Sequence, residues 1–196
     1  MNFAGASSLA VLVAAFIFQL VVYWFKSYKS NWTLIAYRVN KSLFWLAAVF
    51  VFLLYLYLVY AQFIAWRDGG ELLKRLVPPY QSVTYVFGYH FTRFALYYLI
   101  SFAASVLFLS AVTFLNKKFN EKFFEKEEPY LGAIAIFLLG NPLWRFAWIY
   151  YLIALLAVAF VGSLVVSHVL KKSERFSLYY LWLPVAILTL LLVKFL

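Results

Sequence analysis

The sequence predicts an all-α, polytopic membrane bundle of five or six transmembrane helices, forming one domain over residues 1–196, and three observations carry that prediction. First, 67% of the 196 residues are hydrophobic and only 12% are charged, where a soluble domain averages about 45–50% apolar and about 25% charged. Second, the apolar residues fall in runs of about 20, the length that crosses about 30 Å of hydrocarbon. Third, the 17 lysines and arginines are gathered in short clusters between those runs. Such a chain carries more apolar surface than one small globule can hide from water. A cytosolic enzyme, a disordered regulator and an ordinary nucleic-acid-binding domain are excluded. The net charge of +10 is read as the basic bias of loops on one side of a membrane, with no nucleic acid as partner.

The elements follow in order. Residues 3–25 form the first span: the run lacks the basic start of a secretory signal and is too long for one. Residues 42–66 form the second. Leu76–Thr92, with Pro78, Pro79 and Gly88, reads as an interfacial loop with a short helix, because irregular backbone leaves polar groups unsatisfied in lipid. Residues 94–116 form the third span. In Asn116–Pro129, Phe119 and Phe123 follow Leu115 at a spacing of four, so the third helix is expected to continue into the cytoplasm with one apolar stripe. Lys117–Glu121 and Lys122–Glu125 are spaced for surface ion pairs.

Residues 130–144 are too short for a full crossing before Gly140-Asn141-Pro142 breaks the helix; they form either a short crossing helix or a re-entrant segment. Residues 146–170 form a further secure span. Residues 176–194 form the last, where Pro184 can kink the helix without preventing insertion and Lys194 reaches the headgroups. In a six-span arrangement with the N-terminus outside, the clusters Lys26–Lys41, Lys117–Lys126 and Lys171–Arg175 lie inside. That assigns most of the basic residues to the cytoplasmic side of a plasma or inner membrane. Aromatic groups at Tyr23-Trp24-Phe25, Trp66, Trp144 and Tyr179-Tyr180-Trp182 suit the headgroup level. The sequons at Asn31 and Asn40 fall on that inner side and are chance matches.

Chemistry is argued mostly by exclusion. With no cysteine, disulfides, thiolate metal sites and thiol redox chemistry are absent. The pair Glu127-Glu128 resembles, in two residues, the double-glutamate motif of CAAX-type intramembrane metalloproteases. That motif needs an arginine where this chain has Gly132, and two histidines on other helices. A shared-proton aspartyl pair is impossible with Asp68 alone. Ser163 and His168 lie five residues apart on one helix, about 500° of rotation, and do not face each other. His90 and His168 read as headgroup-level polar residues rather than haem ligands. No catalytic residue, cofactor or metal is assigned. Small residues at Ser101 and Ser105, and at Ala159 and Ser163, suit close helix packing, and Gln19 suits a hydrogen bond between helices.

Two surfaces remain as candidates. Arg93, Arg145, His90, Tyr97 and Tyr150 fall near the outer interface, where arginines can clasp a phosphate and tyrosines line an apolar-to-polar cleft. Lys118, Lys122, Phe123, Glu127 and Glu128 belong to the cytoplasmic segment and suit a soluble partner or another membrane subunit. The resulting expectation is a non-catalytic membrane subunit or scaffold, with the lipid bilayer as its first partner. The alternative is a lipid- or substrate-binding protein or small transporter that uses the outer cluster. A membrane enzyme of lipid metabolism comes third.

Overall fold

The computed structural model describes residues 3–26, 32–120, 124–144, 146–169 and 178–193. Among them there is no strand: α1 (Phe3–Lys26), α2 (Trp32–Arg67), α3 (Glu71–Lys74), α4 (Val83–His90), α5 (Leu96–Lys118), α6 (Glu128–Leu138), α7 (Ala147–Leu164) and α8 (Trp182–Val193) make an all-α bundle. Four stretches are long and apolar enough to cross a membrane: residues 5–25, 32–67, 83–118 and 147–164. The chain is therefore built as a membrane protein.

Side-chain pairings give the direction of each helix. Ser8 of α1 meets Tyr98 of α5, while Gln19, three turns on, donates its amide to the carbonyl of Tyr179 just before α8. On α2 and the α4–α5 rod, Tyr55 meets Phe87 and Phe44 meets Phe102, so these run antiparallel. From α5 to α6 the partners are Asn116 with Phe124, Phe108 beside Gly132, and Ser101 with Phe137. This is an antiparallel hairpin. One end of the bundle thus gathers Asn116, Lys117 and Glu125–Glu128, and is called the glutamate end below; the other gathers His90, Arg93 and Leu143.

At the centre stands α6. All but one of its 11 residues are buried, packed against α1, α2, α5, α7 and α8. Its length of about 16 Å covers half of the hydrocarbon. The helix then stops at Gly140-Asn141-Pro142, as its sequence predicts, and a 3-10 turn at Pro142–Trp144 leads to α7. The break itself, at Gly140 and Asn141, is buried by protein, which is where lipid permits irregular backbone. Phe44 seals the helix by stacking on Phe102 and setting its edge against Phe137.

Four expectations change. Helix α2 starts at Trp32, ten residues before the expected span. Arg38 and Lys41 end the uncharged run but not the helix, since they are exposed while Ala36, Asn40, Phe44, Ala47 and Val51 form its buried stripe. In Leu76–Thr92 the expected short helix is Val83–His90; what changes is that it joins α5 through a π turn at Phe91–Ala95, making one rod from Val83 to Lys118. Past Pro79 the most helix-weakening residue is Gly88, worth about 1 kcal/mol, and Tyr85 and Tyr89 offset this by packing on Trp66.

The third change is at the end of α5. The helix stops at Lys118 instead of continuing, and Asn120 takes a left-handed φ of 56°. Asparagine tolerates that conformation and glycine prefers it. Asn120→Gly is expected to raise stability by about 0.5 kcal/mol, seen as a higher thermal midpoint in detergent. Fourth, Pro184 falls in the first turn of α8 and not in its interior, so its missing N–H would have no helical partner anyway. The proposed ion pairs of the charged segment involve Glu121 and Lys122, which lie outside the described residues, as do Phe123 and Arg145.

Candidate functional site

The sequence cluster at the arginine end is brought together in part. A cleft of about 540 Å³ is lined by Leu58 and Gln62 of α2, by Tyr89, His90, Thr92, Arg93, Phe94 and Tyr97, and by Pro142 and Leu143. Arg93, His90 and Tyr97 therefore share one space. Tyr150 does not line it, being 61% exposed on α7. The cleft is built by a local irregularity. The π turn Phe91–Ala95 interrupts the rod at Arg93, and such single turns recur at functional sites because they re-aim side chains. Thr92 Oγ1 lies within hydrogen-bond reach of the Gly88 and Tyr89 carbonyls, at 3.1 and 3.2 Å, supporting the backbone where the ladder is disturbed.

Arg93 is held by its own helix. Its Nη1 donates to Tyr89 Oη at 2.8 Å, and the guanidinium carbon lies 4.3 Å from the centre of the Tyr89 ring. Only one donor of the five in a guanidinium is engaged in this bond. His90 Nε2 is enclosed and makes no hydrogen bond among the described residues. Behind the lining residues Pro142 and Leu143, Asn141 is fully buried, and its Oδ1 accepts the Leu143 N–H at 3.0 Å. Beside it, Phe146 opens α7 with a left-handed φ of 59° and packs on Tyr97 at 5.9 Å. A bulky residue in that region stores about 1–2 kcal/mol of strain. Farther out, Asp68 is paired with Arg67 at 2.8 Å, and this hydrogen bond holds its carboxyl below the usual range.

At the glutamate end Glu127 and Glu128 turn inward. Asn116 Nδ2 donates to the Phe124 carbonyl at 2.9 Å, and its Oδ1 accepts the Phe124 N–H at 3.1 Å. This two-way clasp draws the chain back onto the last turns of α5. Glu127 and Glu128 are then 1% and 3% exposed. Glu128 Oε1 accepts the Glu125 N–H and Oε2 accepts the Trp182 indole N–H, both at 3.2 Å. Carboxylates at the start of a helix also gain from its dipole. Of the residues expected to form a docking surface there, Lys118 is exposed, whereas the two glutamates belong to the interior.

Sequence reasoning missed Tyr89, whose spacing of four from Arg93 was a usable signal. It missed Asn116 as well, for which a single sequence carries no signal. Gln19 does bridge two helices as expected, and Ser101 and Ser105 are fully buried at the α5 packing face. Ser163 instead points away from the described bundle. No family model, no curated protein and no solved structure matches this chain.

Proposed function

We propose that this chain is an integral membrane protein that binds an amphiphile with an anionic headgroup in the cleft around Arg93. The observation supporting this is convergence: an amide from α2, an imidazole, a guanidinium and a phenol from the interrupted rod share one space of about 540 Å³. A guanidinium matches phosphate and carboxylate oxygens bidentately, and His90 and Gln62 add further hydrogen-bonding capacity. Leu58, Phe94 and Leu143 supply apolar wall for the part of the ligand that stays in the bilayer. A lipid or a lipid-linked anionic substrate has both halves.

The test is retention of phosphatidylglycerol by the purified chain, read by native mass spectrometry. Arg93→Ala is expected to lower retention about tenfold, a loss of about 1.4 kcal/mol and at the lower end of what a charged hydrogen bond contributes. Arg93→Lys should restore only part, because an ammonium lacks the planar fork. Equal retention by the parent chain and Arg93→Ala, at equal thermal stability, sinks the reading.

A second reading, a packing subunit that docks a soluble protein, is supported by the exposure of Lys118 and Lys126 at the glutamate end. Reversing both charges would then release a soluble protein that co-purifies with the parent chain.

A further inference from the structure

Between α1 and α2 lies a slot of about 180 Å³, with Ser8 and Val11 on one side and Ala47, Val51 and Leu54 on the other. Tyr98 of α5 and Leu138 of α6 close its back. Ala47, Val51 and Tyr98 are buried, whereas Leu46 and Phe50 at its outer edge are exposed. Resting on Arg93 as the headgroup site, we infer that the ligand there carries its anion on an alkyl chain, and that this chain runs from the cleft into the slot.

The two spaces share their walls. On α2 the lining of both forms one stripe, Ala47, Val51, Leu54, Leu58 and Gln62, at spacings of three and four. On the rod, Tyr98 of the slot lies one turn from Phe94 of the cleft, with their rings 5.1 Å apart. After α6 begins, Leu138 of the slot precedes Pro142 of the cleft by four residues. Tyr98 is five residues past Arg93, toward the middle of the bundle, so the slot lies deeper than the guanidinium. That is the direction an amphiphile's chain takes from its headgroup.

The lining fits a chain. None of its described residues is charged, and the Ser8 and Tyr98 hydroxyls lie 3.4 Å from each other. A volume of about 180 Å³ takes about six methylene groups, each close in size to a water at about 30 Å³. It therefore admits one chain and no fused-ring tail. Left empty, its walls would forgo dispersion contacts that hydrocarbon supplies. A wider apolar groove lies between α2 and the rod, but its Phe91 and Ala95 stand two residues to either side of Arg93. Two residues are about half a helical turn, so that groove opens on the far side of the rod.

The experiment photo-crosslinks the full chain in detergent with a lysophosphatidylglycerol that bears a diazirine on its acyl chain, and locates the label by peptide mass spectrometry. The label is expected on residues 7–11 of α1, which the wider groove does not touch. Arg93→Ala should lower it about tenfold, and so should Ala47→Phe, which fills the slot by overpacking. Leu54→Trp fills the slot from its other end and serves where Ala47→Phe fails to fold. Leu53→Phe, at an exposed position on α2, should leave the label unchanged. Competition by dodecanoate as well as by the unlabelled lysolipid widens the ligand to any long-chain anion; competition by the lysolipid alone narrows it to a phosphate ester, and both support the slot. Label that depends on Arg93 but falls on Phe52 and Phe91 of the wider groove, or that survives the slot-filling variants, overturns the slot and leaves the Arg93 cleft standing. Label that Arg93→Ala leaves unchanged everywhere, or none at all, overturns both.

Discussion

Gly140→Ala is expected to destabilise the bundle by about 3 kcal/mol, at the upper end of ordinary overpacking costs. A Cβ built at Gly140 would lie 1.8 Å from Ser101 Oγ and 2.4 Å from Ser101 Cβ, and 3.0 Å from the Phe137 carbonyl oxygen. These are atoms at or next to the backbone of two packed helices, so no rotamer change removes the clash. Backbone must move, and interiors packed at crystal density resist that. The glycine is required for close approach and not for its conformational freedom, since no glycine among the described residues has positive φ.

A specific rescue distinguishes this from general fragility. Ser101→Gly alone removes a hydroxyl that lies 3.1 Å from both the Tyr98 and Phe137 carbonyls and places glycine in a helix, together about 2 kcal/mol. In the double variant both Ser101 contacts are gone, and of the three close contacts only the Phe137 carbonyl oxygen at 3.0 Å remains. The two effects should then fall short of their sum by more than 1 kcal/mol, as coupled neighbours do. Thermal midpoints in one detergent, read by tryptophan fluorescence, measure all four corners of the cycle. Strict additivity would refute the packing account. Gly132→Ala is the milder comparison, because the contacts at 2.6–2.9 Å there are ring atoms of Phe108 and Trp182, which can shift.

The helices were legible in the sequence because hydrocarbon is a demanding solvent: about 20 apolar residues must be continuous, and the long runs on α1, α2, α5 and α7 satisfy this. The break at Gly140-Asn141-Pro142 was equally legible, since proline and glycine act locally. What the sequence withheld was long-range. Arg38 and Lys41 look like the limit of a span, and only the packing of Ala36 and Asn40 shows them to be inside a helix. Residues 119–128 carry the composition of a solvated helix. The inward placement of Glu127 and Glu128 depends on one side chain, Asn116, meeting the Phe124 backbone eight residues away, which no periodicity encodes. The cluster around Arg93 was half legible: His90, Arg93 and Tyr97 share a rod, so their proximity follows from helix geometry. The departure of Tyr150 depends on how α7 is rotated, which its nearly uniform apolar sequence does not specify.

Glu128→Ala tests that inward fold and is expected to cost about 3 kcal/mol. The carboxylate joins three elements: the segment before α6 through the Glu125 N–H, α6 itself through its first turn, and α8 through the Trp182 indole. Truncation leaves two donors without their acceptor, at about 1–3 kcal/mol for each buried group, and removes a negative charge from the positive end of a helix, worth a few tenths to 1 kcal/mol. Glu128→Gln keeps an oxygen that can accept one of these bonds but loses the charge, so it should fall between the parent chain and alanine. Trp182→Phe removes the indole donor while keeping an aromatic ring against Phe108 and Phe124, and should cost less than the alanine variant. Because Glu128 and Trp182 share one bond, combining Glu128→Ala with Trp182→Phe should cost at least 0.5 kcal/mol less than the sum. If Glu128→Ala melts with the parent chain, the carboxylate faces water, and the inward placement of Phe124–Glu128 is refuted.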